Sequence, residues 1–350
     1  MPRARARRVV ARALIAVAVA AVTACGLDAV GTATGPGVAG GPDGTVPVLP
    51  DVVAIDGGQG GDAAVDAPPF DAGEPFLVTD MLSHPWGVVL FNGIAYIAEN
   101  DRGDIRQVPK TGGANTQLLF TGAAPNSIGA SAMGVYWGEQ TKVRLKPFSG
   151  SVIDLSLSGS GVVLVDGDKV LVGAGGSQHA VLKADLDLSN QNDLAQSQDD
   201  PVGLVSDGTY VYWTNNAANT IGRAKRDGSG SVETVVTNEN NPDSIAIVGS
   251  KIYWTVPGAI RVATIDVWTA SDFVSGEGRP RGIAKSNGYL YWVDNINSTL
   301  RRAEVATGTV VTMASNEPQE NTGLMNAITF DATYVYWVSS INGTLKRLPK

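Results

Sequence analysis

Cysteine is nearly absent from this chain: one residue, Cys25, among 350. No intramolecular disulfide framework is available to it, and a lone thiol needs its own explanation. Histidine is almost as scarce, with only His84 and His179, and there is no HExxH segment, Cys-His cluster, phosphate-binding loop or Gly-x-Ser-x-Gly turn. Charged residues make up 17% of the chain, below the usual level of about 25%. The basic ones are unevenly placed. Arg3, Arg5, Arg7, Arg8 and Arg12 fall in the first 24 residues, leaving 21 basic residues against 34 acidic in the rest. So acidic a body cannot neutralise phosphates, which argues against a nucleic-acid partner.

Long hydrophobic runs are limited to one, Ala13 to Ala24. It is too short to cross a bilayer, which takes about 20 apolar residues. Preceded by the five arginines, it predicts a cleaved signal peptide over residues 1–24. The run ends Val22-Thr23-Ala24-Cys25, which resembles the bacterial lipobox. That resemblance implies a lipidated Cys25 as the mature N-terminus and a membrane partner reached through the anchor. The localisation expected is an exported envelope lipoprotein of the outer membrane, periplasmic or surface-exposed. An ordinary signal peptide ending by chance at a cysteine is the plainer alternative. Residues 26–75 carry eight acids and no lysine or arginine amid glycine, alanine and proline. Such a stretch buries no core and predicts a disordered tether, with a span of roughly 40 Å as a random coil.

Glycine is abundant, at 42 residues, as a turn-rich all-β body requires. From residue 76 to 350 one unit recurs, clearest in the copies from Asp200 and from Arg279. Its aromatic position falls at Tyr96, Tyr136, Leu171, Tyr212, Tyr253, Tyr291 and Tyr336. Spacing of about 40 residues is that of four-stranded propeller blades. Asn92-Gly93, Asp166-Gly167, Asp207-Gly208 and Asn287-Gly288 predict hairpins with positive φ at both turn positions. The "YVYW", "KIYW" and "YLYW" segments predict second strands packed on both faces. The expectation is an all-β fold, a seven-bladed β-propeller of four-stranded antiparallel blades, with six blades as runner-up if the Leu171-Val172 copy is no blade. Because the last copy lacks a fourth strand, residues 76–82 are expected to supply it and close the ring, removing an exposed edge.

Tyr291-Trp292-Val293-Asp294 and Tyr212-Trp213-Thr214-Asn215 resemble the YWTD repeat of propellers in lipoprotein receptors and many bacterial surface proteins. The final aspartate survives only as Asp294; elsewhere the position holds Glu99, Glu139, Asn215, Val256 or Ser339. The resemblance implies the fold. It implies little about activity, since propellers host binding, scaffolding and catalysis alike.

A basic residue recurs on each third strand, at Arg106, Arg144, Lys183, Arg223, Arg261, Arg301 and Lys346. A ring for an anionic ligand is one reading; pairing with acids between blades, or solvation of the rim, is the stronger. Non-repeated polar residues in the loops entering strand one and leaving strand two are the better site candidates, because those loops gather at one mouth of the channel. They are His84, Trp86, Glu99, Asn126, Glu139, Asn215, Asp243, Arg281, Asp294 and Asn326, with Asn100, Asn216, Arg279 and Asn295 beside them. The leading expectation is a monomeric, non-catalytic recognition module for a protein, peptide or glycan, with no cofactor. One alternative is a lactonase- or lyase-type enzyme dependent on calcium or magnesium, with His84 as acid or base. Another is a scaffold in outer-membrane assembly.

Overall fold

The computed structural model describes residues 73–350, apart from 114–115, 123 and 320–326. The expectations for the signal peptide, Cys25 and the linker up to residue 72 lie outside the described residues, as does Asn326. Every regular element described is a strand, and the strands form seven separate four-stranded antiparallel sheets. These are the seven predicted blades. The copy with Leu171-Val172 is a full blade, its strands Gly161–Asp166, Lys169–Ala174, Ala180–Asp185 and Asn192–Gln196 pairing in order.

The seventh blade closes the ring as the sequence requires. Its strands Ile328–Phe330, Tyr334–Ser339 and Thr344–Pro349 are completed by Phe76–Thr79. Phe76 faces Arg347 and Leu77 faces Lys346 across the pair. The closing strand stops at Thr79, three residues short of the expected Leu82; Leu82 instead donates its backbone N–H to the Gly343 carbonyl. The seam between first and last blades is polar as well. Lys110 reaches Asp331 at 2.6 Å, and Arg347 Nη1 donates to the Lys110 carbonyl.

The second strands carry the core. Trp137, Trp213, Trp254, Trp292 and Trp337 are fully buried, as are Tyr136, Tyr212, Tyr253, Tyr291 and Tyr336. Successive residues of a strand face opposite sides, so each Tyr-Trp pair fills the space toward both neighbouring blades. Burying one such aromatic is worth about 1.5–3 kcal/mol.

Two of the four predicted turns differ from expectation. Asn92-Gly93 and Asn287-Gly288 have positive φ at both residues, the type I′ geometry. At the third, the strand runs through Asp166, and only Gly167 of the Gly167-Asp168 loop is positive, as type II′ demands. At the fourth the loop is three residues long, and Asp207 Oδ1 accepts from the N–H groups of Thr209 and Tyr210. Gly208 alone has positive φ, and the Asp207 side chain sets the turn in place of a positive angle at its own position.

Candidate functional site: the channel mouth

Each blade begins its first strand at one end of the central channel. The leading residues of those strands, the loops ahead of them and two loops leaving second strands line a cavity of about 520 Å³ formed by Trp86, Asn126, Gln140, Ser160, Val162, Asp200, Val202, Asn216, Asp243, Arg279 and Arg281. Six blades contribute. Further along the same strands, Val162, Val163, Leu204, Ile245 and Ile283 bound a narrower space of about 100 Å³. The blades crowd here: a Cβ on Gly203 would stand 2.3 Å from the Asp243 carbonyl oxygen. The roomy polar part is therefore the mouth.

Of the residues predicted for the site, Trp86, Asn126, Asp243 and Arg281 meet in this cavity, joined by Asn216 and Arg279. Glu99, Glu139, Asn215 and Asp294 do not line it; all four are buried. Their oxygens and amides serve the fold. Glu99 accepts from the Ser83 N–H at 2.8 Å and from Arg106 Nε at 2.7 Å. Glu139 accepts from Trp137 Nε1, and the Asn215 amide donates to Gln198 and Thr220. Asp294 accepts from the backbone of Gly278, Arg279, Ile296 and Asn297 and from the Asn297 side chain. Burial opposes its ionisation, but these donors outweigh it and hold the carboxyl below its ordinary value. Asp294 thus fixes the segment that presents Arg279. His84 lies in the loop before strand Pro85–Phe91, paired with Asp101, and is not among the cavity's lining residues.

The repeated basic residues are paired, though mostly within a blade. Arg106 pairs with Glu99 and Asp104, Arg144 with Glu139 and Asp154, Arg261 with Glu239 and Asp272. Arg301 pairs with Glu277 and Lys346 with Glu317. Arg223 bridges Glu233 of its own blade and Asp266 of the next. Lys183 differs, donating to the carbonyls of Arg226 and Asp227.

One recurrent set was missed by the sequence reading. Gln198, Glu239 and Glu277 each stand 15 residues ahead of a tryptophan, Trp213, Trp254 or Trp292, and accept its indole N–H. The regular spacing was the available signal. A second recurrent device is an inter-blade clamp: Asn100 donates to the Pro125 carbonyl and Asn216 to that of Pro242.

At the mouth, Arg281 Nη1 donates to Asp243 Oδ2 at 2.5 Å. The pair is largely shielded, with side-chain exposures of 8% and 12%. Burial pulls the Arg281 guanidinium below its ordinary value, Asp243 counters that, and Arg279 adds to it. Asp200 is pushed up by burial and by the nearby Asp199 and Asp243. Among the described residues no group of three or more His, Cys, Asp or Glu is arranged to hold a metal ion.

No family model matches the chain. Over 104 residues it is 36% identical to the human low-density lipoprotein receptor-related protein 5-like protein, a match covering 27% of this chain and 41% of that protein. The body is a seven-bladed β-propeller, and the match fits YWTD-like repeats. The chain spans less than half the length of this curated relative. Among solved structures, a catalytically inactive virginiamycin B lyase from Staphylococcus aureus, determined with quinupristin, superimposes with a TM-score of 0.65 at 15% identity, covering 79% of this chain and 98% of that one. A chain of a nidogen/laminin complex superimposes with a TM-score of 0.50 at 14% identity, covering 63% of this chain and 91% of that one. At such identities these neighbours show the fold alone.

Proposed function

We propose that the protein is an envelope lipoprotein, anchored through Cys25, whose propeller mouth binds a protein, peptide or glycan without transforming it. The observation that carries this is the mouth cavity itself. The repeated polar residues are spent on holding blades together, while the charged and amide groups of Asn126, Gln140, Asp200, Asp243, Arg279 and Arg281, from four blades, converge on one open space. A concave site with a few convergent polar groups is the usual form of a binding site. The metal-dependent enzyme reading draws less support, because the expected carboxylates Glu99, Glu139 and Asp294 are engaged in the fold and His84 stands outside the cavity lining.

The test is site-specific crosslinking in the native envelope. A photo-reactive residue at Gln140, exposed on the cavity rim, should capture a partner. The same residue at Lys251, on the hairpin at the far end of blade five, should not. Capture of the same partner equally from both positions, or from Lys251 alone, overturns the reading.

A further inference from the structure

The charges at the mouth are ordered around the ring. Asp200 enters blade four, Asp243 enters blade five, and Arg279 and Arg281 enter blade six. Asp243 and Arg281 neutralise each other through their bond. Asp200 and Arg279 are not neutralised by the fold. Neither the Asp200 nor the Arg279 side chain forms a hydrogen bond or ion pair among the described residues, although both are half-buried and both line the cavity. Arg281 is also only partly used: Nη1 is bonded, while Nε is buried without a partner. Half-buried charges and buried donors without partners are costly to a fold and call for an explanation. Here a surplus guanidinium lies at one end of the arc and a surplus carboxylate at the other.

We propose that the mouth takes a zwitterion, its carboxylate on Arg279 and Arg281 and its ammonium on Asp200, as a short peptide with both termini free presents them. Arginine suits the first half because its planar fork bonds a carboxylate in two places. An ammonium suits the second, because Asp200 is crowded by Asp199 and Asp243, and burial and these two acids push its carboxyl up; a cation there relieves the strain. Asp294 completes the arrangement by pinning the Arg279 backbone. This inference rests on the mouth being a binding site and adds the chemistry of what enters.

The probes are triglycine, tetraglycine and pentaglycine with free termini, their N-acetylated and C-amidated forms, and inorganic phosphate, titrated calorimetrically against the full chain in detergent. At least one free-termini peptide should bind, with blocking of either end weakening it ten-fold or more. Arg279→Gln should erase the difference between the free and amidated forms, and Asp200→Asn that between the free and acetylated forms. Neither variant should lower the melting temperature, since neither side chain is bonded within the fold and each substitution removes a half-buried charge. Equal binding of free and blocked peptides overturns the proposal, as does binding of none, or of phosphate and the acetylated peptides as well as the free ones, which would leave only an anion site. Crosslinked capture at Gln140 of a partner indifferent to these variants would sink the zwitterion while leaving the binding reading intact.

Discussion

Glu277 tests how the blades are held. Its carboxylate is buried, with a side-chain exposure of 1% against 23% for its partner Arg301. One oxygen accepts from Arg301 Nη1 at 2.7 Å and the other from Trp292 Nε1 at 2.8 Å. Glu277→Ala removes both acceptors, leaving a buried indole N–H and a guanidinium unpaired. Two hydrogen bonds to a charged group carry about 1.5–3 kcal/mol each, and removing one partner of a buried pair costs about 3–5 kcal/mol. Arg301 can turn its exposed quarter to water, so the lower end applies, about 3 kcal/mol. For a body of this size that lowers the melting temperature by roughly 6–12 °C. Glu277→Gln behaves differently. Burial first, and then the nearby Asp294, push the Glu277 carboxyl up against the pull of Trp292 and Arg301; the charge is therefore held there at a net cost. The amide sheds the charge and keeps an acceptor for Trp292, so its cost is about 1 kcal/mol. Urea unfolding of both variants, with Arg301→Ala alone and combined with Glu277→Ala, measures the coupling. The reasoning fails if Glu277→Ala costs no more than Glu277→Gln, or if the Ala substitutions at the two sites are additive.

Further expectations follow from the same contacts. Asp294→Ala, which frees four backbone N–H groups and the Asn297 amide, should destabilise by about 3–5 kcal/mol and speed amide exchange at Gly278 and Arg279. Asp331 seals the ring to Lys110. Burial opposes its ionisation, but Lys110, the Tyr334 and Thr333 N–H groups and Tyr336 outweigh it and hold the carboxyl far below the ordinary range. A depressed folded value gives stability that is complete above the unfolded value of about 3.9 and is lost as pH falls through the folded one. The melting temperature gap between wild type and Asp331→Asn should therefore be widest near about pH 7 and narrow by about pH 2. Cys25→Ser should release the protein from membranes on fractionation; continued retention would contradict lipidation.

Legibility differed between fold and site for physical reasons. The repeat announces itself because five of the seven blades place the same aromatic pair between their neighbours, and Tyr212-Trp213 and Tyr291-Trp292 stand at the same step of the same strand. The closing strand was legible because an uncovered edge on Thr344–Pro349 has to be paired. Asp294 and Glu99 were read as site candidates from their loop positions. In the fold they face backbone N–H groups of the entering loops, a direction that no spacing reveals. Glu239 and Glu277 went unread for the opposite reason, as isolated acids in loops whose indole partners lie 15 residues on.

The sequence by itself determined the period, the blade count and the strand that closes the ring, because these follow from local alternation, turn chemistry and the need to leave no edge unpaired. Only the tertiary structure decided which polar residues are spent on the fold and which are left at the mouth. Asp200, Asp243, Arg279 and Arg281 sit on three blades at sequence separations that carry no pattern. Stacking of blades four to six brings them to one cavity, where the Asp243–Arg281 pair leaves Asp200 and Arg279 facing open space.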